Sequence, residues 1–177
     1  MEKLFDDTLL IQKERPTQIT KQQEEKMFVD LAKECIKYQY SSDDEETIAE
    51  DLKELSINDS GFEKAKDLED NGNASYEFDG DFIDWLDGID YKRRDILKEN
   101  VKLWVKAHNP QPKLEKGTKL KIIESLSYSK DLRKDCLVYV TGINMEQAYY
   151  TISEDKDKQG GYVLAFEKVE LNCEVSE

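Results

Sequence analysis

Apolar and polar residues recur along this chain with two different periods, and the change falls near residue 110. In the first stretch the spacing is helical. Thr20 is placed as an N-cap, with Gln23 three residues on completing a capping box. Met27, Phe28, Leu31, Ala32, Cys35 and Ile36 follow at three- and four-residue intervals, which predicts one buried stripe on a helix ending near Tyr38. Ser42, with Glu45 at the capping-box position, predicts the start of a second helix whose narrower apolar face is Ile48, Ala49, Leu52 and Leu55. A short third helix is expected from about Ser60 to Asp70, broken by Asn71-Gly72-Asn73. Residues 1–19 read as extended, with Leu9, Leu10 and Ile11 as an apolar anchor before Arg15-Pro16.

The next predicted helix runs from about Gly80 to Asp87. At about 100° per residue, Phe82, Leu86 and Ile89 share one side, flanked by Trp85 and Ile83, while Asp81, Asp84 and Asp87 share the other. Its outer face is therefore carboxylate with no lysine among it. Gly88 is expected to end this helix, and a longer one to follow from about Tyr91 to His108, burying Ile96, Leu97, Val101, Trp104 and Val105.

Asn109-Pro110-Gln111-Pro112 then forces an extended link, since neither proline can continue a helix. Beyond it the period is two. Thr118–Glu124, Cys136–Ile143, Ala148–Ser153 and Gly161–Leu171 read as strands rich in Val, Ile, Tyr and Thr, and Asp155–Gly161 as a hairpin turn. Four or five short strands in so few residues close a small barrel. Lys116-Gly117-Thr118-Lys119-Leu120-Lys121-Ile122, a polar loop, Leu137-Val138-Tyr139-Val140, then Gly161 to Leu171 resemble an SH3-like small barrel. Its closing segment of strand, one-turn bend and last strand is the most similar part. The resemblance covers the last third of the chain. The acidic-aromatic segment and paired tryptophans of proline-peptide-binding SH3 domains are missing, so it implies the barrel and not that specificity. Residues 1–108 carry no family motif, and the chain as a whole is similar to small proteins of phages and mobile elements.

Charge changes this picture more than composition does. The 177 residues include 38% hydrophobic and 37% charged residues, which excludes collagen, a wholly disordered polymer and a membrane span. The longest uncharged run, Cys136 to Met145, is far too short to cross a bilayer. Met1–Asp7 lacks the basic start and apolar run of a secretory signal, and three cysteines without a CxxC pair indicate neither a disulfide framework nor a zinc knuckle; a cytoplasmic protein is expected. The net charge of −14 is concentrated: residues 41–90 hold 18 acidic and 3 basic residues, whereas residues 91–134 hold 13 basic and 5 acidic.

Carboxylates three or four residues apart on a helix lie about 5–6 Å from one another, close to the spacing of phosphates along one DNA strand. Asp43, Asp44, Glu45, Glu46, Glu50, Asp51 and Glu54, joined by Asp79, Asp81, Asp84 and Asp87, are thus candidates for a surface that imitates a nucleic-acid backbone. The plain alternative is a solvated face, although ordinary surfaces mix signs. Asp79 to Asp90 begins like a calcium loop but puts Ile83 at the fifth position, Asp84 where glycine is needed and Asp90 where glutamate is needed. No metal and no cofactor is expected. Lys92-Arg93-Arg94 with Lys98, Lys102 and Lys106 loosely resembles a helix-turn-helix reader, against which stand the acidic helix before it and the usual solvated basic face.

Catalysis has little support. His108 is the only histidine and sits at a helix end, where a cation complements the helix dipole. Nothing local marks Cys35, Cys136 or Cys173 as activated. Among the barrel aromatics (Tyr128, Tyr139, Tyr149, Tyr150, Tyr162, Phe166), at least one of Tyr149 and Tyr150 is expected at the surface, because neighbouring strand residues face opposite ways.

The expectation is therefore an α+β protein: an acidic helical domain over 1–108, a proline-containing linker over 109–114 and an SH3-like barrel over 115–173. Its expected role is that of a non-enzymatic interaction protein. In sharper form it is a phage- or mobile-element-encoded inhibitor, of anti-CRISPR or anti-restriction type, that occupies a basic nucleic-acid-binding protein or nuclease as a DNA mimic. The alternatives are an accessory protein that binds nucleic acid through residues 91–134 and the barrel, or a virion or assembly component.

Overall fold

A computed structural model describes residues 13–123, 134–158 and 160–176. The anchor Leu9-Leu10-Ile11, Glu124, Tyr128 and Arg133 lie outside the described residues. The fold is α+β: helices in the first part, a curled antiparallel sheet in the second. The chain divides into two compact units, residues 1–100 and 101–177. Among the described residues no helix is long and apolar enough to cross a membrane.

In the first unit, helix α1 (Lys21–Lys37) starts where expected. The Thr20 hydroxyl accepts from Gln23 N, and the Gln23 side chain accepts from Thr20 N in return. Its predicted stripe is buried at Met27, Phe28, Leu31, Ala32 and Cys35. Helix α2 (Glu45–Glu54) begins at Asp44, not Ser42. The Asp44 carboxylate accepts from Glu46 N and Thr47 N and so takes the N-cap, while the Ser42 side chain makes no such bond. Helix α3 (Gly61–Asn71) has Ser60 and Glu63 as a complete capping box. These helices and the first half of α4 (Gly80–His108) bury one core in which Ile48, Leu52, Leu68, Phe82 and Leu86 meet the α1 stripe.

The break expected at Gly88 is absent, and α4 is a single helix of 29 residues. Glycine inside a helix costs only about 1 kcal/mol relative to alanine, and Ile89 buried beyond it holds the turn on the core. The helix ends at His108, where Asn109 turns left-handed at φ 45° and donates to Val105 O.

In the second unit the strand order is β4-β3-β2-β1-β5, antiparallel throughout. The strands are β1 (Lys119–Ile122), β2 (Leu137–Asn144), β3 (Tyr149–Ser153), β4 (Tyr162–Ala165) and β5 (Cys173–Val175). Alternate residues face inward: Leu120 and Ile122, Val138 and Val140, Tyr150 and Ile152, then Leu164. The closing segment from Gly161, read both as a strand to Leu171 and as strand, one-turn bend and last strand, follows the second reading: β4, a 3₁₀ turn at Phe166–Lys168 and a one-turn helix α5 (Val169–Asn172), after which β5 pairs with β1. The described strands form a curled half-barrel, with which the SH3-like barrel expected from the sequence is loosely compatible. Tyr150 is wholly buried, its hydroxyl accepting from Lys113 N and Leu114 N. Tyr149 points the other way but is only half-buried, with its hydroxyl bonded to the Asn144 amide, so neither of the pair is freely exposed.

Candidate interaction surface

The eleven carboxylates singled out from the sequence have two kinds of environment. Five have tasks inside the fold. Asp44 caps α2 and is held below the usual carboxylate range by the backbone N–H and hydroxyl of Thr47. Asp79 caps α4 through Phe82 N at 2.8 Å. Asp43 accepts from Ser75 N. Asp87 accepts from Gly61 N, which places its charge at the N-terminus of α3, where the helix dipole favours an anion.

Asp51 is the fifth, and it is no surface residue at all. Only 5% exposed, it accepts from Asn73 N, the Asn73 side-chain amide, Ala74 N and the Tyr76 hydroxyl at 2.9–3.0 Å. Burial opposes its ionisation, but the donors from Ala74, Asn73 and Tyr76 outweigh it and leave the carboxyl below its ordinary range. Asp51 thus clamps the 73–76 loop onto α2 and drops out of any docking surface.

The other six are exposed. Glu45 faces Lys33 at 3.9 Å, a solvent-screened pair worth little. The side chains of Glu46, Glu50, Glu54, Asp81 and Asp84 make no hydrogen bond or ion pair among the described residues. Glu46, Glu50 and Glu54 stand at i, i+4 and i+8 on α2, one row with about 6 Å between neighbours. Glu50 and Glu54 also border a groove of about 670 Å³ that Asp67 of α3 closes opposite. Asp81 and Asp84 form a second group on the first turns of α4.

The basic block does not neutralise this acidity. Lys92 pairs with Glu34 and Arg93 with Glu24, both on α1. Arg94 lies over the Tyr91 ring, and Lys98 pairs with Asp95. Of the three lysines between residues 41 and 90, Lys64 is spent internally: it is 1% exposed and bonded to Asp90 at 2.7 Å.

Sequence reasoning placed Phe82 and Trp85 on the apolar side of their helix but passed over Tyr40, Tyr76 and Phe78. Ser41 pairs with Tyr76 in an antiparallel bridge, and Glu77 N donates to Tyr40 O. This brings the Tyr38-x-Tyr40 and Tyr76-x-Phe78 alternations together over Phe82, with Tyr40, Phe78 and Trp85 each under 6 Å from the Phe82 ring centroid. The two tyrosine-containing alternations were a readable signal, but only the bridge sets one beside the other. The Tyr40 hydroxyl is shifted above its usual range, by burial first and then by the charges of Asp81 and Asp79.

For nucleophilic or metal chemistry the surroundings are unhelpful. Burial pushes the Cys35 thiol up to about 12 and the Cys173 thiol to about 11, so both stay protonated. His108 stacks on Trp104, with Nδ1 3.0 Å from Trp104 O. Among the described residues no three His, Cys, Asp or Glu side chains gather as a metal site. Comparison with protein-family models, curated proteins and solved structures finds no match for this chain.

Proposed function

We propose that this is a non-enzymatic interaction protein that binds a basic protein surface through the acidic face of its helical unit. It acts as an inhibitor that occupies the nucleic-acid channel of its target, a role of the anti-CRISPR or anti-restriction type encoded by phages or mobile elements. What carries the reading is the row Glu46, Glu50 and Glu54: three exposed carboxylates at helical i+4 spacing, none of them in an ion pair or hydrogen bond among the described residues, with Lys53 the one cation bordering the same groove. Their separation of about 6 Å follows that of phosphates along a strand. Asp81 and Asp84 add further unpaired charge. Direct nucleic-acid binding through the basic block is disfavoured, because Lys92 and Arg93 are already engaged by Glu34 and Glu24.

The test is capture from nuclease-treated host lysate at low and high salt, with and without a competing duplex. The expected result is a basic nucleic-acid enzyme that salt releases, that duplex DNA displaces, and that a Glu46→Gln, Glu50→Gln, Glu54→Gln triple variant no longer holds. Undiminished capture by the triple variant overturns the reading. A labelled duplex retarded by the protein itself would return the weight to nucleic-acid binding.

A further inference from the structure

We propose that the exposed rings of Tyr38 and Phe78, joined through Tyr40 and Phe82 and adjoining Asp79 and Asp81 at the start of α4, form a docking patch for an arginine-bearing segment of a protein partner. The assignment rests on the reading of a basic partner and adds the chemistry that grips it. Tyr38 is 51% exposed and Phe78 41%, although both belong to a ring cluster with ample core beneath it. Aromatic faces left in water beside carboxylates attract cations twice over, through the ring quadrupole and through the charge. Asp81 has no hydrogen-bond or ion-pair partner among the described residues, and Asp79 spends one oxygen on Phe82 N.

Two of the chain's own cations stand at this ring cluster, one over Tyr38 and one on the carboxylate that takes the Trp85 indole. Lys37 Nζ stands 5.3 Å from the centre of the Tyr38 ring. Lys92 reaches Glu34, whose same oxygen takes the Trp85 indole N–H at 3.4 Å. These are ammonium groups, which act as point charges. A guanidinium offers what they do not: a plane that stacks on a ring while its edge donates two parallel bonds to a carboxylate. Nucleic acid is a poor occupant for the same reason, since Asp79, Asp81 and Asp84 repel phosphate.

The probe is a capped hexapeptide alternating glycine with arginine, titrated into the full chain and followed by backbone and indole NMR signals. A lysine counterpart serves as the comparison. Signals of Trp85, residues 38–40 and residues 76–81 are expected to shift, with the arginine peptide about tenfold tighter than the lysine one. Tyr38→Ala with Phe78→Ala is expected to weaken it about tenfold, with native helix content by circular dichroism as the check that the variant folds. Equal affinity for the two peptides, or an unaffected ring variant, overturns the patch. Loss of peptide binding in the Glu46, Glu50, Glu54 triple variant instead moves the peptide onto α2, which overturns the patch and leaves the proposed function standing. Peptide binding as expected alongside a failed lysate capture retires the DNA-backbone reading alone.

Discussion

Gln23 and Asn100, 77 residues apart, face each other as a closed amide pair: each side chain donates to the other at 2.8 Å. Gln23 is 5% exposed and Asn100 is fully buried, so water replaces neither bond. The same Gln23 oxygen accepts from Thr20 N, so one side chain closes the first turn of α1 and fixes α1 against α4. Asn100→Leu strands the Gln23 amide group in the core, and a loss of about 1–3 kcal/mol is expected in urea unfolding. Thr20→Ala removes only the cap and is expected to cost about 1 kcal/mol.

Two glycines are expected to respond to alanine with opposite signs. A Cβ on Gly61 would stand 2.2 Å from Ile83 O, where α3 meets α4. The helix-propensity gain of about 1 kcal/mol is then outweighed by overpacking of about 1–3 kcal/mol, and Gly61→Ala lowers the melting temperature. Gly88 has nothing within 4 Å of the same position, so Gly88→Ala is expected to raise stability by about 0.5–1 kcal/mol.

Asp51 makes the helical unit sensitive to acid. Its folded carboxyl titrates below the ordinary value, so its contribution is complete above the unfolded range of about 4 and is lost as pH falls through the lower, folded one. Denaturant midpoints are expected to hold from neutrality to about pH 5 and to fall below about pH 4. Asp51→Asn is expected to be less stable at neutral pH by about 2–3 kcal/mol and to show a shallower acid decline, because its loop bonds no longer depend on ionisation. An unchanged acid limb in that variant would mean that other carboxyls set it.

Thiol labelling separates the three cysteines. Cys35 and Cys173 are buried, with thiols pushed up to about 12 and about 11, whereas Cys136 is half-buried. Mass spectrometry after brief iodoacetamide treatment at pH 8 is expected to find Cys136 modified in the native protein and all three in denaturant. Rapid native labelling of Cys35 would contradict the burial of α1 against α2.

Charge reversal on α4 separates a free carboxylate from an engaged one. Asp84→Lys, past the first turn of α4 and without a hydrogen-bond or ion-pair partner among the described residues, is expected to leave the unfolding midpoint nearly unchanged, since exposed charges carry little stability. Asp87→Lys is expected to lower it, because a cation then faces the N-terminus of α3 at Gly61. Equal midpoints for the two variants would show that the Asp87 contact carries no weight.

Features that depend on a few neighbouring residues were legible in the chain. The Thr20–Gln23 box, the helix start near Ser60, the α1 stripe and the change of period after Pro112 all arise from contacts within one turn or one strand. The α+β class followed from them. Gly88 misled because a weak local breaker loses to burial on both sides of it.

What the amino-acid order alone determined is where α1 and α3 begin, which faces the helices bury and that the acidity lies between residues 41 and 90. Only the tertiary structure decided what each carboxylate does. An aspartate becomes a clamp, as Asp51 does over Asn73, Ala74 and Tyr76, or remains free, as Asp84 does, according to whether a distant segment brings donors to it. The same holds for Tyr40 and Tyr76, which one antiparallel bridge sets over Phe82. Desolvation and hydrogen bonding act over a few ångströms in space, and those ångströms are crossed by residues far apart in the chain.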